Sequence, residues 1–365
     1  MSYRAPHEQE AGERAWEVAR AAYETREPIA WPRRHAGPLI AGALVAAVVA
    51  AALSPPGRSV VRSLRKTVGV ERPEPALFSL PAPGQLLVTS SKGAWIVRAD
   101  GSKRLLGRYR DATFSPHGLF VAATRANQLV ALDPKGVVRW TLARPAPRFP
   151  TWVGTRTDTR IAYLSGGRLR IVAGDGTDDR ALAPAALVAP AWRPGPGRVI
   201  AFAAGRSAVV YDVDRDAVLF RTPAVREPVR KVAWSANGRA LLVFAPHATR
   251  VYRGGRVIHQ DDPSDATFDR DAAFVGKTQE VAAIRAADEG SSVFSLTSGR
   301  TLFRGSGVFR QLAWSPSGHW LLVTWPTANQ WVFVRGGQPR RIVGASRIST
   351  QFGSFPRVVS WCCAG

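Results

Sequence analysis

Cysteine is nearly absent from this chain of 365 residues: there are two, Cys362 and Cys363, side by side near the C-terminus. That scarcity excludes a disulfide framework and a cysteine-based zinc module within the chain. Histidine is sparse as well, and His7, His35, His117, His247, His259 and His319 show no H-E-x-x-H or paired ligand spacing. His117 and His319 fall at or just after turns, where an exposed polar residue is expected. The acidic loops Asp175-Gly176-Thr177-Asp178-Asp179 and Asp261-Asp262-Pro263-Ser264-Asp265 lack the terminal Glu and alternating ligands of a calcium loop, so they read as solvated turns. No G-x-S-x-G elbow, phosphate-binding loop or dinucleotide fingerprint follows any apolar run. No catalytic residue, cofactor or metal is therefore implied.

Lysine is the next shortage. Of 50 basic residues only Lys66, Lys92, Lys103, Lys135, Lys231 and Lys277 are lysines, against 27 acidic residues and a net charge of +23. Few lysines, a single Met and abundant Ala, Gly and Pro read as the product of a GC-rich genome. A pI near 11.4 raises nucleic acid as a partner. Attraction to an anionic surface needs only diffuse positive potential, however, and nucleic acid is not the expected partner. With 45% hydrophobic and 21% charged residues the chain buries a real core, which rules out wholesale disorder.

Four segments follow. Residues 1–35 hold six Arg and six Glu, and Trp16, Ala19 and Tyr23 form one narrow apolar stripe at i, i+3 and i+7 before Pro28 and Pro32 end the pattern. So short a helix frays alone or docks on a partner. Residues 36–54 contain the uncharged run Gly37 to Leu53, seventeen residues flanked by Arg33, Arg34 and Arg58, adequate for one transmembrane helix. A cleaved leader is disfavoured by the long neutral segment before it. Residues 55–76 form a basic, Pro-bounded linker. Flanking charge is nearly tied across the span; the expected topology puts the N-terminus inside and residues 77–365 outside.

Over residues 77–365 one pattern recurs. An apolar strand ends in an aromatic residue and a turn follows: Phe114-Ser115-Pro116-His117-Gly118, Trp192-Arg193-Pro194, Trp234-Ser235-Ala236-Asn237-Gly238 and Trp314-Ser315-Pro316-Ser317-Gly318. Weaker copies begin at Phe78, Trp152 and Phe274, and the spacings of 36, 38, 40, 42, 40 and 40 residues match four-stranded propeller blades. Pro at the second turn position and Gly at the fourth suit a type I turn. Continuous apolar runs follow, Val199 to Phe202, Ala240 to Phe244 and Leu321 to Trp325, as in strands buried on both faces. Hairpins come next, over Val130–Trp140, Val210–Phe220 and Val293–Phe303. The expectation is an all-β fold, a seven-bladed β-propeller with six or eight blades as alternatives. Arg357 to Cys362 is expected to complete the first blade, with Trp361 closing the ring and the cysteines as buried structural residues rather than a redox pair. Trp152, Trp192, Trp234, Trp314, Trp325 and Trp361 are expected in the core.

These repeats resemble those of TolB-type and WD-like β-propellers. His117, Asn237 and Ser317 stand where that family usually carries Asp, which leaves its ligand unassigned. Asp133 to Trp140 resembles the tryptophan repeat of quinoprotein-like propellers in one blade only. An inner helix, one span and an outer repeat domain also resemble single-pass bacterial anti-sigma or signal-sensing proteins. That layout implies a non-catalytic platform for protein or small-ligand binding, with Trp16, Ala19 and Tyr23 as the inner contact. A quinoprotein-like or hydrolytic propeller enzyme and an envelope scaffold are the other readings.

Overall fold

In the computed structural model the described residues are 79–154, 158–264, 266–288, 290–336 and 341–363. They form seven four-stranded antiparallel sheets. Six sheets take their strands in chain order; the remaining one adds Arg357–Cys362 to Gln85–Ser90, Gly93–Val97 and Lys103–Gly107. The innermost strands are Arg357–Cys362 in blade 1, Asp111–Phe114 in blade 2, Arg148–Gly154 in blade 3 and Ala191–Trp192 in blade 4. Lys231–Trp234, Phe268–Phe274 and Leu312–Trp314 follow in blades 5, 6 and 7. Each touches the next, and blade 7 touches blade 1. The architecture is a closed seven-bladed β-propeller, as the repeat spacing implies. Residues 1–35, the span expected over 36–54 and the linker over 55–76 lie outside the described residues, with Trp16, Ala19, Tyr23 and Phe78. Among the described residues no helix is long and apolar enough to cross a membrane.

The second strand of each blade explains the core. Successive residues of a strand face opposite sides, and here the two sides are different blades. In Leu241–Ala245, Leu241, Val243 and Ala245 pack toward blade 4, whereas Leu242 and Phe244 pack toward blade 6. Each of the seven blade junctions has its own apolar cluster of this kind. That double burial is why these strands read as unbroken hydrophobic runs.

The repeat turns form as their chemistry dictates. The N–H groups of Gly118, Gly238 and Gly318 donate to the carbonyls of Ser115, Ser235 and Ser315 at 2.9, 2.8 and 2.8 Å. The buried Ser hydroxyls accept from the N–H of Phe120, Ala240 and Trp320 at 3.0, 2.9 and 3.1 Å, which ties each turn to the next strand. Asn237 Oδ1 accepts from Ser235 Oγ at 2.8 Å and from the Arg239 N–H at 3.0 Å, so it holds the turn without a carboxylate. Gly238 has φ of +66°, and a Cβ there would meet the Pro194 carbonyl oxygen of blade 4 at 2.3 Å. The glycine thus supplies both the left-handed backbone and room for the neighbouring turn.

Ring closure follows the expectation: Trp361 pairs with Leu86, and Gln85 with Cys362. The cysteines do not. Cys362 and Cys363 are joined as an adjacent disulfide and are half-buried. Cys363 takes φ of +55°, turning the backbone where the strand leaves its sheet. The tryptophans divide: Trp192, Trp325 and Trp361 are buried, whereas Trp152, Trp234 and Trp314 are half-buried.

Candidate functional site

Every blade repeats the same path, so all innermost strands start at one end of the ring. The repeat turns, with Ser115, Pro116, Gly118, Pro194, Ser235, Gly238, Ser315, Pro316 and Gly318, occupy the opposite end, beneath Phe114, Trp192, Trp234, Trp314 and Trp361.

At the starting end the carboxylates bridge blades. Asp111 of blade 2 is buried and takes Arg148 Nε of blade 3 at 2.7 Å and Arg357 Nη2 of blade 1 at 2.9 Å. Asp271 of blade 6 takes Lys231 Nζ of blade 5 at 2.7 Å and the Leu312 N–H of blade 7 at 2.9 Å. Gln311 of blade 7 exchanges two hydrogen bonds, of 3.2 and 3.0 Å, with the Val358 backbone of blade 1. The two remaining junctions are linked nearer the turns, where the indoles of Trp192 and Trp234 donate to the carbonyls of Thr151 and Ala191, both at 3.1 Å. All seven junctions between innermost strands therefore carry a polar link. Buried carboxylates are tolerated here because each meets a cation or backbone donors. Asp269 is less well compensated: its partner Arg285 is shared with Asp261, and burial pushes its carboxyl up to about 6.

A second pattern emerges once the blades are aligned on their aromatic residue. Four positions before it stand Arg110, Arg148, Arg230, Arg270, Arg310 and Arg357; Val188 of blade 4 is the exception. The backbone equivalence holds for three of them: the N–H groups of Arg110, Arg230 and Arg310 donate to the carbonyls of Thr124, Phe244 and Thr324 at 2.8, 2.8 and 2.9 Å. Strand bulges shift the others, so that Arg148 and Arg357 take the register position that Asp111 holds in blade 2, and Arg270 falls within a bulge. Arginine is about one residue in eight overall, so six occurrences at seven places of the same sequence offset exceed what composition supplies. Arg148 and Arg357 are occupied by Asp111, and Arg270 lies over the Phe268 ring at 4.7 Å from its centroid. Among the described residues Arg110, Arg230 and Arg310 are exposed and have no side-chain partner. This arginine series was readable from the sequence by aligning the repeats. The pairings of Asp111 and Asp271 were not, because they join residues on different blades, from 37 to 246 positions apart, with no local spacing rule.

No protein-family model matches the chain, and the search of curated proteins finds no relative. Among solved structures the chain is similar to Kuenenia stuttgartiensis hydrazine synthase, with 12% identity and a TM-score of 0.47 over 61% of this chain and 75% of that one. The fold is established by the sheet topology above, and this distant likeness adds nothing on function.

Proposed function

We propose that the chain is a single-pass membrane protein whose propeller is a non-catalytic binding platform outside the cell membrane. Residues 1–35 would lie inside, with Trp16, Ala19 and Tyr23 contacting a cytosolic partner in the manner of an anti-sigma-like or signal-sensing protein. The observation that carries the non-catalytic reading is the employment of Asp111 and Asp271. These two of the carboxylates at the starting end are held by cations and backbone donors of adjacent blades. A carboxylate so committed braces the ring rather than exchanging protons with a substrate. The uncharged run Gly37 to Leu53 and its basic flanks carry the membrane reading.

Protease treatment of intact cells and of spheroplasts, with a tag at each terminus, tests it. Degradation of the C-terminal domain from outside with the N-terminal tag protected is the expected result. Protection of the C-terminal domain in intact cells and spheroplasts would place the propeller inside and overturn the topology.

A further inference from the structure

We infer that the end of the propeller where the innermost strands start binds a multivalent phosphate ligand through its series of arginines. This deepens the reading of the domain as a binding platform and rests on it. Arg110, Arg230 and Arg310 hold the same backbone position on blades 2, 5 and 7, and Arg270 stands in a strand bulge on blade 6, so the series spreads over separate blades rather than along one edge. Arg110, Arg230 and Arg310, on blades 2, 5 and 7, are exposed, and among the described residues no carboxylate engages them. Arg270 on blade 6 is engaged by an aromatic ring, which leaves its charge uncompensated. Meanwhile Asp111 pairs with Arg148 and Arg357, and Asp271 with Lys231, at the same end. The result is a set of uncompensated guanidinium groups anchored to rigid strand starts, whose potentials add.

Phosphate suits this set better than carboxylate. A carboxylate saturates on one guanidinium fork, whereas a phosphate offers three acceptor oxygens and up to two charges and can bridge donors from neighbouring blades. Arginine, with its rigid planar fork, is also the cation for such recognition, and no blade has Lys at this position. Binding to several blades at once requires several linked phosphate groups, so the ligand class is an oligophosphate or phosphate-bearing polymer.

The test uses the full chain in mild detergent and a fluorescein-labelled linear polyphosphate, followed by fluorescence anisotropy. The variant R110Q/R230Q/R310Q is compared with R239Q/R256Q/R300Q, which removes the same charge from exposed arginines near the repeat turns. The expected result is weakening by about tenfold or more in the first variant and by less than about threefold in the second. The salt dependence should become shallower by about two to three ion contacts in the first variant alone. Both variants should keep the melting temperature of the parent protein, because the substituted side chains have no partners among the described residues. Equal weakening in both would reduce the effect to diffuse charge and overturn the site. Absence of polyphosphate binding would overturn it too, while a protein partner still retained on the propeller would leave the platform reading intact. Stronger competition by polyglutamate than by unlabelled polyphosphate would overturn the phosphate assignment.

Discussion

Single side chains in this propeller are judged by which blade they serve. Asp269 shows the cost of incomplete pairing. It is 1% exposed, its partner Arg285 is shared with Asp261, and its carboxyl is pushed up to about 6 by burial, against the pull of Arg285. The folded protein therefore holds this proton to a higher pH than the unfolded chain does. Its contribution to stability is full below about pH 4 and is lost as pH rises through about 6. Against Asp269→Asn, which does not titrate, the parent protein should lose on the order of 2 to 3 kcal/mol of relative stability between those limits. Urea unfolding of both proteins across that window gives the measurement. A constant difference between the two curves would show that the carboxylate is as well solvated in the fold as outside it.

The elements repeat, but the junctions between them are not equal. The cluster between blades 2 and 3 is the smallest of the seven, built on Ala122, Leu129, Ile161, Tyr163 and Val172. Polar bonds supplement it. Trp140 Nε1 donates to the Gly174 carbonyl at 2.9 Å, Tyr163 Oη to Asp179 Oδ1 at 2.6 Å, and Arg144 Nε to Asp179 Oδ2 at 2.6 Å. Arg170 adds an ion pair of 2.5 Å to the same carboxylate. Burial raises the Asp179 carboxyl, but Arg170, Tyr163 and Arg144 together hold it below the usual range. Asp179→Ala leaves two guanidinium groups and a buried phenol without their acceptor. It should cost about 3 kcal/mol, and amide exchange should accelerate first in strands Gln128–Leu132 and Thr159–Ser165. Uniform acceleration around the ring would instead mean that the junctions fail together. Strands and turns were legible in the sequence because each obeys a local rule: alternate burial gives Leu241–Ala245 its apolar run, and positive φ demands Gly238. The Asp179 knot obeys none, since Arg144 and Asp179 meet only after two blades stack. Asp133 to Trp140 sits between these cases. Its tryptophan was conspicuous in the sequence, yet its acceptor at Gly174 belongs to the next blade.

At the scale of the whole molecule, one strand makes the ring closed. Arg357–Cys362 is the innermost strand of blade 1, and it pairs with Gln85–Ser90 from the far side of the sequence. Ser90 Oγ donates to the Phe352 carbonyl across 262 residues at 2.9 Å. Val358 and Trp361 complete the cluster between blades 7 and 1, Arg357 bridges to Asp111, and Val358 is locked to Gln311. Removing residues 357–365 would strip the strand pairing, the Val358 and Trp361 packing and the Arg357 and Val358 links at once and leave Gln85–Ser90 as an uncovered edge. Contacts so distant in sequence also form late, because loop closure is costly before the pairing compensates for it. The truncated chain should therefore refold without closing, unfold over a broad transition and associate through its open edge. Adding a synthetic peptide of residues 354–365 in trans should restore a single sharp thermal transition, whereas the same peptide with Trp361 replaced by Ser should not. Calorimetry of the three mixtures distinguishes the cases. A truncated chain that still melted as sharply as the parent would mean that six complete blades hold the ring unaided and that the closing strand is dispensable.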